Sequence, residues 1–161
     1  MAARLTDQQI TARITENKPL PEDYLARIQT KPKRGHKERE LDLRGQKGGE
    51  FRLVLRQSLV NSLDFSVILA YQIPKTNQIF RLRRYNGRSH EHTNRLEGQT
   101  FYDFHIHTAT ERYQEAGMRE DSFAEPTDRF ADFQGALDCM LKDCGFVVPQ
   151  DSQMRIFPEV D

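Results

Sequence analysis

A chain of 161 residues, 37% hydrophobic and 30% charged, is long enough for one domain with a real core and too apolar for wholesale disorder. Its 24 basic and 24 acidic residues cancel, which argues against coating nucleic acid through bulk charge. No apolar run approaches the ~18 residues that span a bilayer. Residues 1–17 carry scattered charge and no signal-peptide centre, so a cytoplasmic location without membrane contact is expected.

The first element expected is a short amphipathic helix over residues 6–16. Thr6 and Gln9 have capping-box spacing, and Leu5, Ile10 and Ile14 share a face. Pro19 and Pro21 interrupt it, and a second short helix can start at Pro21, burying Tyr24, Leu25 and Ile28. The charged stretch 31–39, with Pro32 and Gly35, reads as a loop or weak linker. Strands then follow by alternation: Leu41 and Leu43; Phe51, Leu53 and Leu55; Phe65, Val67, Leu69 and Tyr71; and residues 79–85 after a turn at 74–77. The C-terminal helix is the clearest element. Thr127 or Asp128 can cap it, Phe130, Phe133, Leu137, Met140, Leu141 and Cys144 recur at helical spacing, and Gly145 stops it.

The fold expected is α+β: an antiparallel meander of four to five strands, a C-terminal helix on one face and short N-terminal helices. The divisions expected are 1–30 as a helical extension, 31–49 as a charged linker with a short strand, 50–146 as the core domain and 147–161 as an extended tail. Cys139 and Cys144 lie five apart on one helix and fit neither a disulfide nor a zinc knuckle, so both read as reduced thiols.

Chemistry concentrates between Arg81 and Arg112. Four of the five histidines form two His-x-His pairs, His90/His92 and His105/His107. Between Arg81 and Arg95 lie five arginines (Arg81, Arg83, Arg84, Arg88, Arg95) against one acid, Glu91. In the strand 101–108, a period of two turns Tyr102, Phe104 and Ile106 to the core and Asp103, His105 and His107 to the other face, roughly 7 Å apart in succession.

One reading is acid–base cleavage of RNA without a metal. His105 and His107 would serve as base and acid, and His90 and His92 would assist. Arg81, Arg83, Tyr85 and Arg88 would hold the substrate through its phosphate, while Asp103 orients a histidine. It assumes that the 79–85 and 101–108 strands pair with their polar faces on one side. The second reading is a divalent transition metal such as zinc, held by a set drawn from His90, His92, Glu97, His105 and His107. The run His90-x-His92-x4-Glu97 looks like the middle of a cupin metal motif, though the flanking glycines are misplaced for one. A third is a non-catalytic adaptor or inhibitor that binds a protein through the same surface. The bland alternative is a solvated sheet face carrying hydrogen-bonded histidines.

The run Arg83-Arg84-Tyr85-Asn86-Gly87-Arg88-Ser89-His90-Glu91-His92, followed by Phe104-His105-Ile106-His107-Thr108 and a C-terminal helix, resembles small toxins of bacterial toxin–antitoxin modules. These belong to the barnase–EndoU–colicin–RelE superfamily of ribonucleases. It is also similar to a bacterial family with the same Arg-Tyr-Asn-Gly and Phe-His-Ile-His-Thr-Ala-Thr-Glu-Arg-Tyr core. The resemblance implies an endoribonuclease with RNA as substrate and a cognate antitoxin as partner, with Arg83, Tyr85, His90, His92, His105 and His107 as its marked residues. Against that pattern, this chain is neutral and carries an N-terminal extension.

Overall fold

The computed structural model describes residues 3–149. Its first helix, α1 (Asp7–Thr15), begins where Thr6 accepts from the Gln9 amide and the Gln9 side chain answers the Thr6 amide. This is the expected capping box, which occupies two amides that a helix start leaves open. After β1 (Lys18–Pro19) comes α2 (Tyr24–Arg27), which buries Tyr24 but leaves Leu25 half exposed.

The charged stretch is not a linker. β2 (Gln29–Lys33) and β3 (His36–Arg44) pair antiparallel around Gly35, whose φ of 77° only glycine adopts readily. Proline and like charges made residues 31–39 look irregular, but pairing across a tight turn orders them. Pro32 stands in the edge strand, where a missing amide donor is tolerated.

The sheet continues through β4 (Glu50–Ser58), β5 (Phe65–Gln72) and β6 (Ile79–Asn86). A side hairpin, β7 (His92–Asn94) and β8 (Gln99–Phe101), leaves the sheet before β9 (His105–Thr108) returns to it. Helix α3 (Glu111–Glu115) leads to the edge strand β10 (Ala124–Pro126). Helix α4 (Phe133–Asp143) follows, then β11 (Phe146–Val147), which pairs parallel with β1. The main sheet has seven strands in the order β10-β9-β6-β5-β4-β3-β2, all antiparallel, so the α+β meander is larger than expected.

The core lies between this sheet and helices α1 and α4. Leu53, Leu55, Val67, Leu69 and Leu82 from the sheet meet Ala136, Leu137, Met140 and Leu141 from α4. Each large side chain buried there contributes about 1.5–3 kcal/mol. Phe65 anchors an aromatic cluster with Phe104, Phe130 and Phe133, at centroid distances of 6.2, 6.3 and 6.0 Å. Asp132, rather than Thr127 or Asp128, caps α4 by accepting from the Gly135 amide at 2.7 Å. The helix starts later than its apolar spacing suggests because Phe130 is spent in the aromatic cluster and the Thr127 amide donates to Phe104. Gly145 does stop it, with φ 74°. Cys144 is buried and Cys139 half-buried, and both are free thiols. The tail assigned to 147–161 falls outside the described residues beyond Pro149. Among the described residues, no helix is long and apolar enough to cross a membrane.

Candidate metal centre

β6 and β9 pair, as the site requires, but a bulge changes which arginines face the histidines. Ala70 pairs with Arg81 and Leu69 with Arg83, leaving Leu82 as the extra residue. A bulge of this kind shifts the alternation by one position. Phe80, Leu82 and Tyr85 are therefore all buried in the core. Arg83 and Tyr85 stand on the helix side, where Arg83 donates to the Tyr85 hydroxyl at 3.2 Å and that hydroxyl donates to Asp143 at 2.6 Å. The expectation that Arg81, Arg83 and Tyr85 share a face with the histidines thus fails for Arg83 and Tyr85. Their places are taken by Arg84 and Asn86, which lie directly opposite His107 and His105.

The phase of β9 is as read. Ile106 and Phe104 pack against the core, and His105 and His107 turn to the opposite face. Tyr102 does not join the core, because β9 begins only at His105 and Tyr102 stays exposed. The histidines are not on an open surface: His105 is 0% and His107 3% exposed. The β7–β8 hairpin folds over them. Asn94, itself fully buried, holds it there by accepting from the Ala124 amide at 2.9 Å and donating to the Ala124 carbonyl at 2.7 Å.

Each of three imidazoles is oriented by an acceptor. His105 Nδ1 donates to the Asp103 carbonyl and His107 Nδ1 to the Asp121 carbonyl, both at 2.8 Å. A carbonyl only accepts, so both rings carry the proton on Nδ1 and keep a lone pair on Nε2. The Asp103 carboxylate does not orient His105: the contact is with the Asp103 backbone carbonyl, and the side chain is on an exposed residue. The two bonds to Ala124 settle the Asn94 amide, so its Oδ1, 2.8 Å from His92 Nε2, accepts from that nitrogen. In the neutral ring this contact places the lone pair on His92 Nδ1. Ring centroids lie 5.4 Å apart for His92–His105, 4.8 Å for His92–His107 and 4.9 Å for His105–His107. One nitrogen from each lies within 4.8 Å of the others.

Burial, reinforced by neighbouring His92, His90 and Arg84, holds His105 down to about 4 in pKa. Burial, with Arg84 and the other histidines beside it, holds His107 down to about 2. Both are neutral at physiological pH, the state in which imidazole binds metals.

The remaining expected residues fall elsewhere. His90 is exposed, 6.4 Å from the His105 ring, and its Nδ1 faces the Ser89 hydroxyl at 3.1 Å. Glu97 is committed to Arg112 and to the Tyr113 hydroxyl, so it does not join the histidines. Arg88 donates to the Tyr102 carbonyl at the surface. Arg81 lies on the histidine side of the sheet, its strand held by Glu120 at the backbone amide.

Above His92 and His107 opens a cleft of about 420 Å³, whose walls include Arg84, Arg95, Arg119, Asn86, Thr93 and Ser122. Sequence reasoning missed Asn94, Asp121 and Arg119, which carry no local signal of their own. It missed Arg84 as a site residue through the bulge, although the doubled Arg83-Arg84 does guarantee one arginine on each face in any phase. Fold and site together define an antiparallel α+β protein with a three-histidine cluster under an arginine-walled cleft. Comparison with protein-family models, curated proteins and solved structures returns no match.

Proposed function

We propose that this protein binds a divalent transition metal, zinc or a close relative, through His92, His105 and His107. The observation that carries the proposal is the convergence of three imidazole nitrogens, with His105 and His107 locked by a carbonyl in the tautomer that presents Nε2. This is the outer-shell arrangement that metal-ligating histidines use. A tetrahedral ion with bonds of about 2.0–2.1 Å needs its nitrogens roughly 3.3 Å apart. His92, on the hairpin and only partly buried, is the member whose movement would close that gap. Three protein ligands leave a position open beside the cleft, the composition of catalytic rather than structural zinc sites. There the ion would supply Lewis acidity or an activated water.

Acid–base cleavage of RNA asks for a histidine that is protonated near neutral pH to serve as the acid. The burial of His105 and His107 favours the metal reading over that one. The test is elemental analysis of untagged protein equilibrated with zinc and desalted. About one metal per chain is expected for wild type, and His92→Ala should lose at least tenfold in affinity while keeping the wild-type circular dichroism. Metal-free wild type, or undiminished binding by the variant, would refute the assignment.

A further inference from the structure

The cleft has an unusual charge inventory. Arg84, Arg95 and Arg119 line it, and no carboxylate does so among the described residues. Several arginines elsewhere meet carboxylates in hydrogen-bonding geometry: Arg52 with Asp42, Arg112 with Glu97, Arg129 with Asp143 at two points. Among the described residues, Arg95 and Arg119 donate no side-chain hydrogen bond, and Arg84 meets a carboxylate only at Asp121. Among the described residues, the acid that pairs with two of the cleft arginines is Asp121, fully buried, with Oδ2 3.2 Å from Arg84 Nε and Oδ1 3.8 Å from Arg119 Nε. These are charge contacts of poor alignment: Arg84 Nε and both Asp121 carboxylate oxygens are buried and lack a well-directed hydrogen bond. Buried polar groups are rarely left so in a finished site.

Adding a metal makes the imbalance larger. Three metal-bound imidazoles contribute no charge, so a divalent ion would sit beside Arg84, which is directly across from His107, with Asp121 as the paired acid among the described residues. Partly buried positive charge of that size needs an anion within a few ångströms. The planar guanidinium fork is suited to phosphate or carboxylate oxygens in two-point contact. A volume of about 420 Å³ falls in the range of small-molecule sites.

We propose that the cleft is an oxyanion site, in which Arg84 and Arg119 hold the phosphate or carboxylate group of a small molecule against the metal's open position. Arg95 guards the rim. The proposal rests on the metal reading above, and supplies the substrate class for that same centre.

The test titrates cobalt-loaded protein with inorganic phosphate and, separately, with oxalate, read by calorimetry and by the visible spectrum of the cobalt. Either anion should bind and change the spectrum, and the tighter one identifies the class. Arg119→Gln should weaken that binding at least tenfold with cobalt content unchanged. Arg119 is mostly exposed, so this variant folds even if Arg84→Gln, which strands Asp121, does not. Cobalt that loads normally while neither anion binds below 10 mM (about 3 kcal/mol) overturns the oxyanion site and leaves the metal reading standing. So does Arg119→Gln binding as tightly as wild type. Failure to load cobalt overturns the metal reading instead; Arg119-dependent phosphate binding by that metal-free protein would still support the anion site.

Discussion

His107 is the residue on which the site turns. It stands on an edge-proximal strand between Arg84 on β6 and Ala124 on β10, and is covered by His92 from above. Burial there is tolerable only for a neutral ring, and the Asp121 carbonyl satisfies its one N–H. His105 repeats the arrangement two residues earlier with the Asp103 carbonyl. The consequence for pH follows from the depressed pKa values of about 2 and about 4. An unfolded chain takes up protons at both histidines below about pH 6.5, whereas the folded chain does not. Folding stability from these two groups is therefore complete above pH 6.5 and is lost as pH falls through the window down to pH 4 for His105 and further for His107. Each contributes up to about 1.4 kcal/mol per pH unit in that window. Urea titrations of metal-free protein between pH 7.5 and 4.5 should show a falling midpoint, and His107→Gln should flatten the slope. A midpoint independent of pH would mean that the histidines titrate normally in the fold.

At the scale of elements, the hairpin β7–β8 turns a sheet face into a site. It is fastened by Asn94 to β10 and by the His92 and Phe101 rings to His105. Its approach from β6 depends on Gly87. The Gly87 amide donates to the Phe65 carbonyl, and a Cβ at this position would fall on the carbonyl oxygen of Leu63. Backbone cannot yield as a side-chain tip can, so Gly87→Ala should cost about 1–3 kcal/mol. It should also displace the segment that carries His90 and His92. Thermal melts would report the first effect and zinc affinity the second. A variant with wild-type melting temperature and wild-type affinity would show that the turn has slack. The bulge in β6 acts at the same scale: one extra residue, Leu82, moves Arg83 beneath the sheet and leaves Arg84 above it.

Across the whole molecule, the two ends of the described chain are tied by Lys18. Its side chain is fully buried, with Nζ 2.8 Å from the carbonyls of Arg13, Ile14 and Glu16 and 2.7 Å from that of Cys144. These are the last carbonyls of α1 and the C-terminal cap of α4, where a cation also meets the negative helix ends. Burial pulls its pKa down to about 8, which still leaves it charged at neutral pH. Lys18→Met keeps the volume but strands several buried carbonyls, and should cost about 3 kcal/mol or more in urea unfolding. A loss under about 1 kcal/mol would mean that water replaces the ammonium without penalty. The parallel pair β1–β11 lies around this contact, so the same change should speed hydrogen exchange at the Lys18 and Leu20 amides, which donate to Gly145 and Val147.

Much of this was legible in the chain. Thr6 and Gln9 announce the first cap, Gly145 the last stop, and alternation from Phe51 to Tyr71 the central strands, because caps, turns and pleats are decided by neighbours a few residues apart. The His105-x-His107 phase belongs to that class: with Ile106 turned inward, the two rings must share the other face. Which arginine joins them, whether they see solvent, and which of His90, His92 and Glu97 comes to them were decided only in the tertiary structure. The bulge depends on how β6 meets β5, the cover on a hairpin docking to β10, and the loss of Glu97 on Arg112 and Tyr113 reaching it first. A strand's pleat is written in its own residues, whereas the burial and charge of its outer face are set by segments that pairing brings from elsewhere.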